Sequence, residues 1–142
     1  MQQAIDFKEE EILVDENAIQ TPIEKNGDIY LKREDLFNCL GANGAKARTA
    51  YFLINSAKKN GFAGITTAGS RMSPQINIVS NICKRMGLKF VAHCPTGELS
   101  PEILDAKNNG AEIIQHKAGY NNVIKARCRE YAKENNFFEV PF

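Results

Sequence analysis

The chain has 142 residues, 43% of them hydrophobic and 25% charged, with 18 basic side chains against 17 acidic. That length bounds one domain or half of a larger protein, and it buries about two-thirds of its unfolded surface without disulfide or metal staples. Near-neutral charge excludes a dedicated nucleic-acid binder, whose basic stripe would dominate.

No stretch is long and apolar enough to span a bilayer, and Met1 to Glu11 is acidic rather than signal-like, so the expected location is the cytoplasm. Cys39, Cys83, Cys94 and Cys128 form no CxxC pair, which reads as free thiols in a reducing compartment.

In chain order, Met1 to Gln20 has no clear period and reads as an arm or an edge strand. Residues 21–142 read as a single α/β domain. Thr21-Pro22 marks an extended entry to a strand over Asp28 to Lys32. Arg33 to Gly44 reads as a loop. Ala47, Ala50, Tyr51, Leu53, Ile54 and Ala57 then recur at helical spacing, with Gly61 as the C-terminal stop. Ala63 to Thr67 is a short strand.

Ser73, as cap, and Pro74 open a helix with Ile78, Val79, Ile82, Cys83 and Met86 as its apolar stripe, ending at Gly87. A strand over Phe90 to Ala92 follows, and then a helix from Ser100-Pro101 to Gly110. Ile113 and Ile114 mark the next strand. Asn121 or Asn122 caps a helix to about Glu134, and Phe137 to Val140 begins another strand. Strands alternating with helices predict βαβ units, hence a three-layer αβα fold with a mostly parallel sheet.

In such sheets ligands bind at the carboxyl ends of the strands, beside helix N-termini. Two strand-to-helix loops qualify, Lys32 to Arg48 and Thr66 to Gln75. The second offers Ser70, Ser73, Gln75 and free backbone N–H groups, a cradle for an anion. His93-Cys94 and His116 lack the spacing of metal ligands and read as packing or surface residues. Lys58-Lys59, Lys84-Arg85 and the run from Lys125 to Lys133 read as solvated helix faces. Tyr120-Asn121-Asn122 reads as a cap that lies near enough to touch a substrate.

The strings TPIEK, YLKREDL, GANGAKAR and TTAGSRMSPQ resemble the start of fold-type II pyridoxal-phosphate enzymes. That superfamily holds the tryptophan synthase β subunit, threonine synthase, serine and threonine dehydratases, and the aminocyclopropane-carboxylate deaminase and D-cysteine desulfhydrase branch. The resemblance covers about Thr21 to Phe142, and it extends to phage-encoded members with an AGSR-x-SPQ loop.

It implies that Lys46 is the Schiff-base lysine for pyridoxal 5'-phosphate, that Asn43 and Ser70 face the cofactor, and that Ser70, Ser73 and Gln75 meet the carboxylate of an amino-acid substrate. It also implies that Arg48 pairs with an acid such as Glu34 or Asp35. The implied chemistry is elimination, replacement or deamination. Two departures bear on it. Most relatives place an asparagine in the second loop, where Met72 and Pro74 stand here. Relatives are also about twice as long, their second half carrying the glycine-rich phosphate loop and the residue facing the pyridine nitrogen.

The chain therefore reads as a fragment, a split subunit or a reduced descendant. It is expected to form a homo-oligomer or to need a partner supplying the second domain, with Phe137, Phe138 and Phe142 as contributors. The competing reading is a binding or assembly module that keeps the fold without the cofactor. A generic nucleotide-binding domain ranks last, since neither GxGxxG nor a Walker motif is present.

Overall fold

The computed structural model describes residues 3–9, 19–117 and 120–141. Its centre is a four-stranded parallel sheet made of β6 (Gly64–Ala68), β7 (Phe90–Pro95), β8 (Glu112–His116) and β9 (Phe137–Val140), in the order β8-β7-β6-β9. The helices are α1 (Ala45–Lys59), α2 (Pro74–Met86), α3 (Pro101–Asn108) and α4 (Asn121–Asn135). The α/β architecture expected from the alternating pattern is present.

Period-two alternation sorts the sheet's side chains between two layers. Ile65, Phe90, Ala92, Cys94 and Val140 pack with Tyr51 and Ile54 of α1, Ile76, Val79 and Ile82 of α2, and Ile103 and Ala106 of α3. The opposite face presents Ala68, Val91 and Phe137 to Ile124, Cys128 and Ala132 of α4. Each large apolar side chain sealed in this way contributes roughly 1.5–3 kcal/mol.

The N-terminal third is built differently. β2 (Ile23–Asn26) and β3 (Ile29–Lys32) form a hairpin, whereas only the second strand was expected. The segment read as a loop holds a 3-10 turn (Glu34–Leu36) and two short strands, β4 (Phe37–Cys39) and β5 (Ala42–Asn43). β4 also pairs in parallel with β1 (Ile5–Asp6), and Phe7 stacks on Phe37 with ring centroids 5.3 Å apart. These strands are two to four residues long, too short for a local periodicity to announce them. Ile12, Leu13, Val14 and Phe142 lie outside the described residues.

Helix starts differ in detail from the expected caps. Ser100 does cap α3, accepting from the Ile103 amide, and Pro101 takes the first helical position. Ser73 holds the cap position of α2, yet its side chain makes no capping bond; its Oγ is buried and has no hydrogen-bond partner among the described residues. The cause is Gly69. A Cβ there would lie 2.7 Å from Ser73 Cβ and Oγ, so the serine side chain has folded into the space the glycine leaves open. For α4 the cap position is Tyr120, and Asn122 accepts from the neighbouring Val123 amide instead of capping the turn.

Two histidines far apart in sequence meet between β7 and β8. His93 Nδ1 and His116 Nε2 are 2.8 Å apart, and the edge of Tyr131 closes the other side. His93 is 1% exposed and its Nε2 has no partner. Burial, reinforced by the neighbouring His116, holds its pKa down at about 4 from the ordinary 6.5. The folded protein thus keeps His93 neutral where the unfolded chain takes up a proton. Stability is full above pH 6.5 and falls as pH drops towards 4, by up to about 3 kcal/mol from this group. Urea titrations from pH 7 to 4.5 are expected to show that loss, with a smaller loss in His93→Gln.

Candidate functional site

The carboxyl edge of the sheet is closed by one buried side chain. Gln75 Nε2 donates to Thr67 Oγ1 at 2.9 Å and to the Pro141 carbonyl at 2.7 Å, and Thr67 Oγ1 donates to the Val140 carbonyl at 2.8 Å. The bridge joins the end of β6, the first turn of α2 and the chain after β9. Between it and α1 lies a pocket of about 330 Å³, lined by Lys46, Thr49, Leu53, Gln75, Val140 and Pro141 among others. Lys46 and Gln75, 29 positions apart in sequence, thus share one pocket.

Lys46 sits in the first turn of α1, exposed, and among the described residues its amine has no ion pair or hydrogen bond. Arg48, two residues further on, is engaged instead. It holds Glu34 through both oxygens, Nε to Oε2 at 2.8 Å and Nη2 to Oε1 at 3.1 Å, donates to the Ile19 carbonyl and lies over the Phe37 ring. Thr21 adds a hydrogen bond to Glu34. Of the two acids expected to face Arg48, Glu34 does; Asp35 pairs with Arg33. The Arg48 guanidinium holds the Glu34 carboxyl below its usual range. This bidentate pair locks the start of α1 against the 3-10 turn and so fixes the direction in which the Lys46 stem leaves the helix.

The other expected residues are distributed. Asn43 is exposed on β5, paired opposite Asn38, and is not in the Lys46 pocket wall. Ser70 lines a second pocket with Arg71, Thr96 and Asn121, and its Oγ accepts from the Met72 amide at 3.3 Å. Ser73 is buried behind Gly69. Gln75 spends both N–H groups inside the protein, so only its carbonyl oxygen remains for another partner.

The cysteines are free and buried, and burial pushes Cys83 up to about 12 and Cys128 to about 11, which makes them packing residues rather than nucleophiles. Among the described residues no three His, Cys, Asp or Glu side chains gather as a metal site, and no helix is long and apolar enough to cross a membrane. Sequence reading missed Thr67 and Pro141 as site-forming residues. The cue was present in a threonine pair inside an apolar strand.

A parallel α/β unit with a free lysine at a helix start, in a pocket on the carboxyl edge of the sheet, is the class of protein these features define. Its sequence places it more narrowly. The family described as "Pyridoxal-phosphate dependent enzyme" matches residues 14–141, and the chain belongs to that family.

The biosynthetic L-threonine dehydratase of Haemophilus influenzae is 30% identical over 135 residues, which is 89% of this chain and 25% of the relative. A Thermotoga maritima protein assigned provisionally as a 1-aminocyclopropane-1-carboxylate deaminase is 35% identical over 95 residues, 65% of this chain and 30% of that one. A solved structure described as an ACC deaminase homologue superposes with a TM-score of 0.69 at 21% identity, covering 87% of this chain and 42% of its own. The chain spans well under half the length of these relatives.

The pocket suits the family's cofactor. Ala45, Ala50, Leu53, Val140 and Pro141 form an apolar wall for a ring, Lys46 offers an amine, and the first turn of α1 carries no acidic side chain to repel a phosphate.

The bridge makes a prediction. Gln75→Leu removes two buried hydrogen bonds and strips the Pro141 carbonyl and Thr67 Oγ1 of their donor, at a cost of about 1–3 kcal/mol. Urea denaturation should show the loss, and hydrogen exchange should show faster exchange in β9.

Proposed function

We propose that this chain is the lysine-bearing part of a pyridoxal-phosphate enzyme that acts on an amino acid by elimination, replacement or deamination. The observation that supports it is the free Lys46 amine in an apolar pocket beside Gln75. When bound, the cofactor supplies an electron sink for charge developing at the substrate's Cα. Lys46 Nζ holds it and moves the Cα proton, its stem aimed by the Arg48–Glu34 pair.

Ser70 and the backbone N–H groups at the start of α2 orient the substrate carboxylate, with Asn43 near the cofactor. Gln75 supports that loop from behind. Val140 and Pro141 keep water from one side of the pocket.

Mixing the protein with pyridoxal phosphate should produce a visible absorbance band, and borohydride should fix a pyridoxyl label on Lys46, located by peptide mass spectrometry. Lys46→Ala should lose both. A colourless protein, or label spread over surface lysines, would overturn this reading. That outcome would favour the second reading, a binding or assembly module, which the internal commitment of both Gln75 N–H groups supports.

Either reading needs a cover for the hairpin. Ile23, Ile29 and Tyr30 are each about two-thirds exposed, and Leu31 is 44% exposed. A bare two-stranded hairpin is marginal in water, so a second copy or a domain supplied by a partner covers it. Phe137, expected as a contact, is instead buried under α4, and Phe138 packs on Phe62. Sedimentation should show concentration-dependent association, weakened by Tyr30→Lys; a monomer at high concentration would contradict self-association.

A further inference from the structure

The second pocket, about 340 Å³, lies at the Ser70 end of the loop whose Gln75 end faces Lys46, and of its walls the proposed reaction uses only Ser70. Its walls are Ser70, Arg71, Met72, Pro95, Thr96 and Asn121. They come from three separate segments: the loop after β6, the end of β7, and the first turn of α4. Each brings a hydrogen-bond donor, namely a hydroxyl and a guanidinium, a second hydroxyl, and an amide. Neither aspartate nor glutamate is in the wall.

Arg71 is the centre of the arrangement. It is exposed, and among the described residues it has no ion pair, unlike Arg33, Arg48, Arg127 and Arg129. Its guanidinium is nonetheless held. Nη1 donates to the Glu98 carbonyl at 2.9 Å, and the group lies against the backbone of Gly97, where a Cβ would come within 2.7 Å of Nη1. Gly97 has φ +136, a conformation L side chains rarely adopt, so the strand-to-helix loop has the shape that seats this arginine. The Arg71 carbonyl also accepts from the Ser100 amide, which ties the two loops together. A single carbonyl bond occupies one of five guanidinium donors, and the others remain for a ligand.

The backbone beneath is firm. The Gly69 amide donates to the His93 carbonyl and the Thr96 amide to the His116 carbonyl, so both loops are anchored to the strands that carry the buried histidine pair. The α4 first turn contributes no acidic residue. Met72, 76% exposed, supplies an apolar side to an otherwise polar pocket. A preset cation without a counter-charge, ringed by hydroxyl and amide donors from several directions, suits a tetrahedral oxyanion better than a flat carboxylate.

We propose that this pocket binds a phosphate group, with Arg71 as its principal ligand and Ser70, Thr96 and Asn121 as hydrogen-bond donors. The phosphate is either free or carried by a small monoester whose carbon body lies along Met72. Ser70 is shared with the proposed carboxylate grip, whereas Arg71, Thr96 and Asn121 are not, and binding here needs no cofactor.

The test is a nuclear magnetic resonance titration of the isotope-labelled chain with inorganic phosphate, against sodium chloride at matched ionic strength. Saturable shifts should be confined to the amides of Ser70 to Met72, Thr96 and Asn121. Arg71→Gln should weaken binding about tenfold or more, the loss of one charge-assisted contact, and Arg71→Lys should lose less. Arg71 is exposed, so these variants should fold; if a melting curve shows otherwise, Thr96→Val tests the same pocket.

O-phospho-L-serine and L-serine separate the sources. Phosphoserine binding tenfold tighter than inorganic phosphate assigns the phosphate to an amino-acid ligand, and equal binding assigns it to a free anion. Shifts that fail to saturate, that spread over the lysine-rich helix faces, or that persist unchanged in Arg71→Gln would overturn the proposal, whatever the outcome of labelling at Lys46.

Discussion

A buried amide with two donors and three chain segments to satisfy holds this domain in its working shape. Without Gln75, the Pro141 carbonyl and the Thr67 hydroxyl would each lose a donor at the sheet edge, and a polar group stripped of its partner there is costly. With it, β9 is fastened to β6 beyond the last ladder bond, and the chain after β9 becomes one wall of the Lys46 pocket. The same contact that stabilises the sheet edge therefore creates the cavity. It also commits both Gln75 N–H groups to the protein itself.

A second polar lock acts at the start of α1. Arg48 and Glu34 are both mostly buried from water, and their fork-to-fork geometry is supported by Thr21, the Ile19 carbonyl and the Phe37 ring. Such a pair fixes geometry more surely than it adds net stability, because desolvation offsets much of the attraction. Here geometry is what matters. Lys46 lies two residues from Arg48, and a helix start that cannot rock keeps a flexible lysine stem leaving from one place.

Each ligand-facing loop rests on a different backbone device. Ser73 fits because Gly69 has no Cβ, and Arg71 lies flat because Gly97 has none. The first hides a hydroxyl, and the second displays a guanidinium. The loop between them thus divides the carboxyl edge into an apolar pocket with an amine and a polar pocket with a fixed cation. An edge of this kind offers distinct surroundings to two chemical groups while sharing one scaffold of strand ends.

The amino-acid order by itself determined the alternation of strands and helices from Ala45 onward, since Tyr51 and Ile54, or Val79 and Ile82, repeat at helical spacing and each helix ends at a glycine or asparagine. It also carried the family and the pairing of Arg48 with an acid, because those rest on short strings. It did not reveal β4 and β5, the partnership of His93 with His116, the tether from Gln75 to Pro141, or the seat of Arg71 against Gly97. The short strands hold too few residues to show a period; the other contacts depend on pairs separated by 20 or more residues, or on the space beside a glycine, and only the packed sheet brings such groups together. Periodicity records which face of an element is buried; which distant groups meet across that face is decided when the elements close on one another.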